Sequence, residues 1–114
     1  MQARYRIGWE PLRRLFELSS TYWLARAPEN RYAGMRVLAI DGSHMRVADS
    51  DDNDIHFGRP GARNQSVGGY PQLRCAVVLD VDSRLVHDAH IVSWTESEAA
   101  ACAPLWDRLP TDAL

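Results

Sequence analysis

The 114 residues predict a mixed α/β fold. Three observations carry this. Residues 10–26, "EPLRRLFELSSTYWLAR", set Leu12, Leu15, Phe16, Tyr22 and Trp23 near helical spacing. Residues 35–41, 72–81 and 85–94 are short apolar runs rich in β-branched side chains, bounded by polar and glycine-containing segments. Residues 96–108 are alanine-rich and close with Pro110. The chain is too short for two independent cores, so one domain or part of one is the ceiling.

The elements follow in order. Pro11 sits where a first helical turn tolerates it, and the first helix ends before Pro28. A loop, "APENRYAG", leads into the strand "MRVLAID", and "SHMRVAD" reads as a second short strand. Residues 50–71, dense in Asp, Asn, Gly and Pro, read as loop. "QLRCAVVLDV" and "LVHDAHIVSW", joined at "DSR", predict an antiparallel hairpin. Thr95 and Glu98 have capping-box spacing, which starts the last helix near 96, with Pro104 as a possible disturbance inside it. No repeat or low-complexity tract is visible.

Composition removes several function classes. With 46% apolar and 25% charged residues the chain is neither disordered nor, lacking 18 consecutive apolar residues, membrane-spanning. No secretory signal is readable, so a cytoplasmic location is expected. Cys75 and Cys102 lack metal-type spacing and read as buried small hydrophobes. The net charge of −2 conceals an uneven distribution: residues 1–40 hold seven Arg against three Glu, and every basic residue is Arg. Arginine suits bidentate phosphate contact, which is compatible with a nucleic-acid partner; a solvated helix face explains the same charge.

Asp41 ends the run "RVLAID". A carboxylate there can hold a divalent cation at a sheet edge, while Asp-Gly between two β-like runs is also a favoured hairpin turn, the commoner case. Asp49, Asp51, Asp52 and Asp54 fail the calcium-loop pattern, because no glycine or later glutamate falls in place. His87 and His90 are three apart on a strand and point to opposite faces, as do Ser43 and His44. The glycines of "HFGRPGARNQSVGGYP" match no phosphate or dinucleotide fingerprint, so no nucleotide cofactor is implied. Arg59 and Arg63 in that segment could approach a phosphate backbone, since glycine removes side-chain obstruction.

The string "YAGMRVLAIDGSHMRVADSDDNDIHFGRPGARNQSVGGYPQLR", preceded by "GWEPLRRLF", resembles the central part of insertion element 4 family DDE transposases. The pieces "LAIDG", "FGRPG" and "YPQLR" occur in the family's order, and the resemblance covers almost the whole chain. It implies residues 1–34 as a helical N-terminal segment and linker. Residues 35–114 are then the first half of an RNase-H-like catalytic domain, the first strands and first helix of a partial RNase-H-like fold. It implies that Asp41 is the first catalytic, metal-binding acid, that Mg²⁺ is the cofactor and that insertion-sequence DNA is the partner. The second Asp and the Glu of the family's triad would lie beyond Leu114, and Asp112, in "LPTDAL", is not assigned to either. These residues alone are then expected to be an inactive part of a transposase, with exposed sheet edges that favour self-association. The rival expectations are a non-enzymatic DNA-binding remnant and a small interaction domain.

Overall fold

The computed structural model of the chain describes residues 6–28, 31–61 and 69–114. It is a mixed α/β structure with three helices and five antiparallel strands in two sheets among those residues. Helix α1 (Glu10–Leu24) is followed by β1 (Arg31–Tyr32), β2 (Met35–Arg36) and β3 (Leu38–Arg46). Helix α2 (Asp51–Phe57), strands β4 (Gln72–Asp80) and β5 (Val86–Ser93), and helix α3 (Glu98–Trp106) complete the order.

Strands β3, β4 and β5 form an antiparallel sheet in that order. The β4–β5 hairpin is as predicted, and Asp80 secures its turn. One carboxylate oxygen, Oδ1, accepts both the N–H and the hydroxyl of Ser83 at 2.8 Å. Arg84 takes a positive φ of 60° there, and its N–H donates to the Asp80 carbonyl at 2.8 Å.

Helix α3 covers one face of this sheet. Ala76 and Val78 from β4 meet Ala101, Cys102 and Leu105 from α3, with Leu38, Ile40, Val92 and Leu109 around them. The alanines at 76 and 101 let helix and sheet approach closely, and Leu105 fills the contact with no exposure. On α3, Ala101, Cys102 and Leu105 recur at spacings of one, three and four, which puts them on one face. The hydroxyl oxygen of Ser97, not that of Thr95, caps the helix by accepting the Ala100 N–H at 3.1 Å. Thr95 is instead held by Ser93, with their hydroxyls 2.9 Å apart.

Helix α1 meets the outer edge of β5. The Ser20 hydroxyl donates to the Val86 carbonyl (2.8 Å) and lies 3.1 Å from the His87 carbonyl, so it occupies backbone acceptors that an edge strand leaves open. Ion pairs of Arg13 with Glu10 and Glu17, and of Arg14 with Glu17, run along its exposed side. Leu12, Leu15 and Trp23 remain more than half exposed. The helix adds length more than core, consistent with a radius of gyration of 17.1 Å against about 13 Å for a compact domain of similar length.

Three sequence expectations change. The stretch read as two strands about an Asp-Gly turn is one continuous nine-residue strand, β3, with Asp41 opposite Val77 and Gly42 opposite Ala76. A two-residue hairpin turn needs positive φ, and Gly42 has none. That turn occurs instead at Ala33 (φ 52°) and Gly34 (φ 82°), between β1 and β2, within what was read as loop. The polar segment after residue 50 begins with helix α2, whose Ser50 hydroxyl oxygen accepts the Asn53 N–H at 3.3 Å. Asp51, Asp52 and Asp54 stand in its first turn, where the helix dipole favours acids. Among the described residues no helix is long and apolar enough to cross a membrane.

Candidate functional site

Strand β3 alternates in burial along its first half: Leu38, Ile40 and Gly42 are half-buried toward α3, while Ala39, Asp41 and Ser43 are more exposed. Asp41 therefore lies on the sheet face that α3 leaves open. The other edge of β3, away from β4, is where its carboxylate turns. The Gly42 N–H donates to Asp41 Oδ1 at 2.8 Å, which orients the group, and Oδ2 has no hydrogen-bond partner among the described residues.

Residues 112–114 enter this same edge. Arg36 and Ala113 form a parallel bridge. The Arg36 N–H donates to the Asp112 carbonyl (2.8 Å), the Leu114 N–H to the Arg36 carbonyl (2.8 Å) and the Leu38 N–H to the Leu114 carbonyl (3.0 Å). By the two-residue period, Ile40 and Gly42 present their N–H groups along the same line. An apolar groove of about 620 Å³ runs beside it, lined by Leu38, Ile40, Cys102, Trp106 and Leu109 with the chain's last residues. Asp112 is tied down by Arg31 at 2.6 Å, whose guanidinium holds its carboxyl below the usual aspartate range.

Gly42 also admits helix α3. A Cβ there would lie 3.0 Å from Glu98 Cγ and 3.4 Å from its Cδ, so the Glu98 side chain, at the start of α3, lies close over position 42 next to Asp41 and would have to shift for any side chain placed there. This close approach was hidden in the sequence by the 55 residues that separate the two positions.

The other predicted site residues are placed as follows. Arg59 is gripped by Asp49 Oδ1 and Asp54 Oδ2, each at 2.8 Å, and these two bonds push its pKa up. It latches the end of α2 to the loop before it. Arg63 lies outside the described residues. His90 turns toward α3, with Nδ1 3.0 Å from the Ala101 carbonyl. Among the described residues no group of three or more His, Cys, Asp or Glu side chains could hold a metal ion. Asp41 therefore fits a divalent cation as one oxygen ligand, and these residues do not complete the six or more that such ions take. Both thiols are free; Cys102 is buried and Cys75 half-buried, and its burial pushes the Cys75 thiol up.

No family model and no solved structure matches the chain. Two curated proteins of Escherichia coli (strain K12) do. The transposase InsG for insertion sequence element IS4 is 33% identical over 99 residues, which are 86% of this chain and 22% of that protein. InsZ, provisionally named a transposase, is 22% identical over 114 residues, 99% of this chain and 38% of that protein. The chain thus spans well under half the length of either relative, and its strand β3, with Asp41, belongs to the stretch that resembles them. Over most of its length, then, the chain is similar to curated transposases, one of them that of insertion sequence element IS4.

Proposed function

We propose that these 114 residues form the opening part of a DDE transposase catalytic domain with an RNase-H-like sheet, and that Asp41 is its first metal-binding carboxylate. The observation that carries the reading is the edge of β3. Three antiparallel strands, a covering helix and then a parallel bridge from Ala113 to Arg36, just before the first of these strands, is an order that brings a distant segment toward the edge that carries Asp41. In the Arg36–Ala113 register, any chain continuing in parallel would bring its fourth residue past Leu114 beside Asp41. An acid there would face the first one across a single strand spacing of about 5 Å.

In sites of this kind two Mg²⁺ ions held by three carboxylates activate water or a DNA 3′-hydroxyl and stabilise charge on the attacked phosphate. The role of this segment is narrower. Asp41 offers Oδ2 outward while the Gly42 N–H fixes Oδ1, so one carboxylate is oriented before any ion arrives. One carboxylate does not hold two hard cations, and DNA cleavage and strand transfer need the remaining acids.

Two measurements test this. The isolated 114-residue chain, given Mg²⁺ and supercoiled plasmid, is expected to produce no nicks; nicking that Asp41→Ala abolishes would show a complete site and overturn the partial-site reading. Sequencing the genomic DNA after codon 114 is expected to reveal a strand-like segment with an acid and, later, a helix bearing Glu. If neither is found in any frame, Asp41 loses its assignment.

A further inference from the structure

Helix α1 is apolar on two sides. Phe16, Ser20 and Leu24, four residues apart, are among its less exposed positions, and Ser20 bonds to β5. Leu15, Leu18 and Tyr22 recur at steps of three and four on the side away from that row, and Leu12 and Trp23 widen the stripe. These five side chains are between 49% and 63% exposed, so no described element covers them.

The stripe is suited to burial. It contains no acid, and Glu10, Arg13, Arg14 and Glu17 pair with one another around the rest of the helix. The Arg26 guanidinium stands 3.6 Å over the Tyr22 ring and donates to the Tyr22 carbonyl at 3.1 Å, so its charge already has a place at the stripe's end. Ser19, inside the stripe, donates its hydroxyl to the Phe16 carbonyl at 2.9 Å, and covering it strands no donor. Tyr22 and Trp23 meet edge to face with ring centroids 5.2 Å apart, a rigid aromatic pair of the kind that anchors interfaces. At roughly 100 Å² for each half-exposed side chain of this size, one stripe offers on the order of 500 Å² and two offer about 1,000 Å², the size at which specific association begins.

We propose that this face of α1 seats a second copy of the chain, as an antiparallel helix pair about a two-fold axis at Ser19. The stripe has an aliphatic end, Leu12 and Leu15, and an aromatic end, Tyr22 and Trp23, with the small Ser19 between them. Turned about Ser19, Leu15 of one copy meets Trp23 of the other, and Leu12 meets the stem of Arg26. Bulk is then matched along the whole contact, and the serine lets the helices approach where they cross. A parallel pair would set the two aromatic ends against each other. A surface that complements its own reverse fits a second copy without any other partner. The inference is independent of Asp41 and of the open β3 edge.

The test is sedimentation velocity of the 114-residue chain from about 1 to about 100 µM, the range in which a weak interface of this size fills. The mass is expected to rise from 12.9 kDa toward twice that value and to stop there. Leu15→Glu, which places an acid against Trp23 of the other copy, is expected to weaken association at least about tenfold. Ile55→Glu, an equally apolar and exposed change on α2, and Ala39→Lys on β3 are expected to leave it unchanged. Oxidised Ser19→Cys is expected to form a cross-linked dimer faster than Thr21→Cys, and this readout serves if circular dichroism shows that Leu15→Glu does not fold. The proposal is overturned if the wild type keeps the monomer mass, which would leave the face to another part of a longer protein or to a different partner. It is equally overturned if association runs on past the dimer, if Leu15→Glu folds and associates as before, if Ile55→Glu weakens association as much, or if the two cysteine variants cross-link alike.

Discussion

Arg36 and Ala113 stand side by side in parallel register, joined through backbone bonds that run from Asp112 to Leu38. This contact closes the start of the β3 edge that is not paired with β4, and Arg36, the last residue of β2, stands five residues before Asp41. Deleting residues 112–114 removes these backbone partners of Arg36 and Leu38 beside an apolar groove. The shortened chain is expected to associate with itself as concentration rises, seen by light scattering, and Ala39→Lys on the exposed face is expected to suppress this. A shortened chain that stays monomeric would remove the edge from the account.

The core is small, so single truncations should be felt in full. Leu105 is completely buried between α3 and β4. Leu105→Ala is expected to cost about 2–5 kcal/mol, a large part of the 5–15 kcal/mol typical of a domain, whereas Leu105→Met should cost less than about 1.5 kcal/mol. Urea denaturation of the three proteins gives the comparison.

Asp80 links stability to acid. Burial by itself raises its pKa, yet the Ser83 N–H and hydroxyl and the Arg36 guanidinium outweigh that and hold it below the ordinary aspartate value. A folded pKa lower than the unfolded one means stabilisation present above the unfolded pKa near 4 and lost as pH falls through the folded value. Asp112, lowered by Arg31, acts in the same direction. Thermal melts are expected to drop between pH 5 and pH 2, and Asp80→Asn should flatten that drop while costing about 1–3 kcal/mol at pH 7. Equal pH dependence in the variant would exclude Asp80 as its source.

Position 42 should tolerate no branched side chain. Gly42→Val places methyl groups where Glu98 crosses the strand, and a loss of about 1–3 kcal/mol is expected, with Gly42→Ala less severe because the Glu98 side chain can swing outward. Asp41→Asn, an exposed change that keeps an oxygen for the Gly42 N–H, is expected to shift stability by less than about 0.5 kcal/mol. Paramagnetic broadening by Mn²⁺ should centre on residues 40–43 in the wild type and vanish in Asp41→Asn. Broadening that persists in the variant would place the ion elsewhere.

The β4–β5 hairpin and helix α1 could be read from hydrophobic period, and helix α3 from its alanine-rich run and polar start, although α1 leaves most of its apolar face exposed. Helix α2 was hidden by its composition, although Ser50 followed by three acids is the chemistry of a helix start. Asp-Gly was misleading for a different reason. The pair is compatible both with a turn and with an extended strand, and local preference for the turn loses when nine residues of β3 can pair with β4.

The sequence by itself determined the α/β class and the likeness to transposases, and it offered Asp41 as a candidate, since hydrophobic period and ordered motifs are properties of neighbours along the chain. Only the tertiary structure decided that Asp41 lies mid-strand at an edge entered by residues 112–114. It also separated Arg59, matched by two acids, from Arg46 and Arg74, which are poorly matched. Charge compensation and strand pairing depend on distances between residues far apart in sequence. No local pattern encodes them, because only the folded chain brings both partners within a few ångströms.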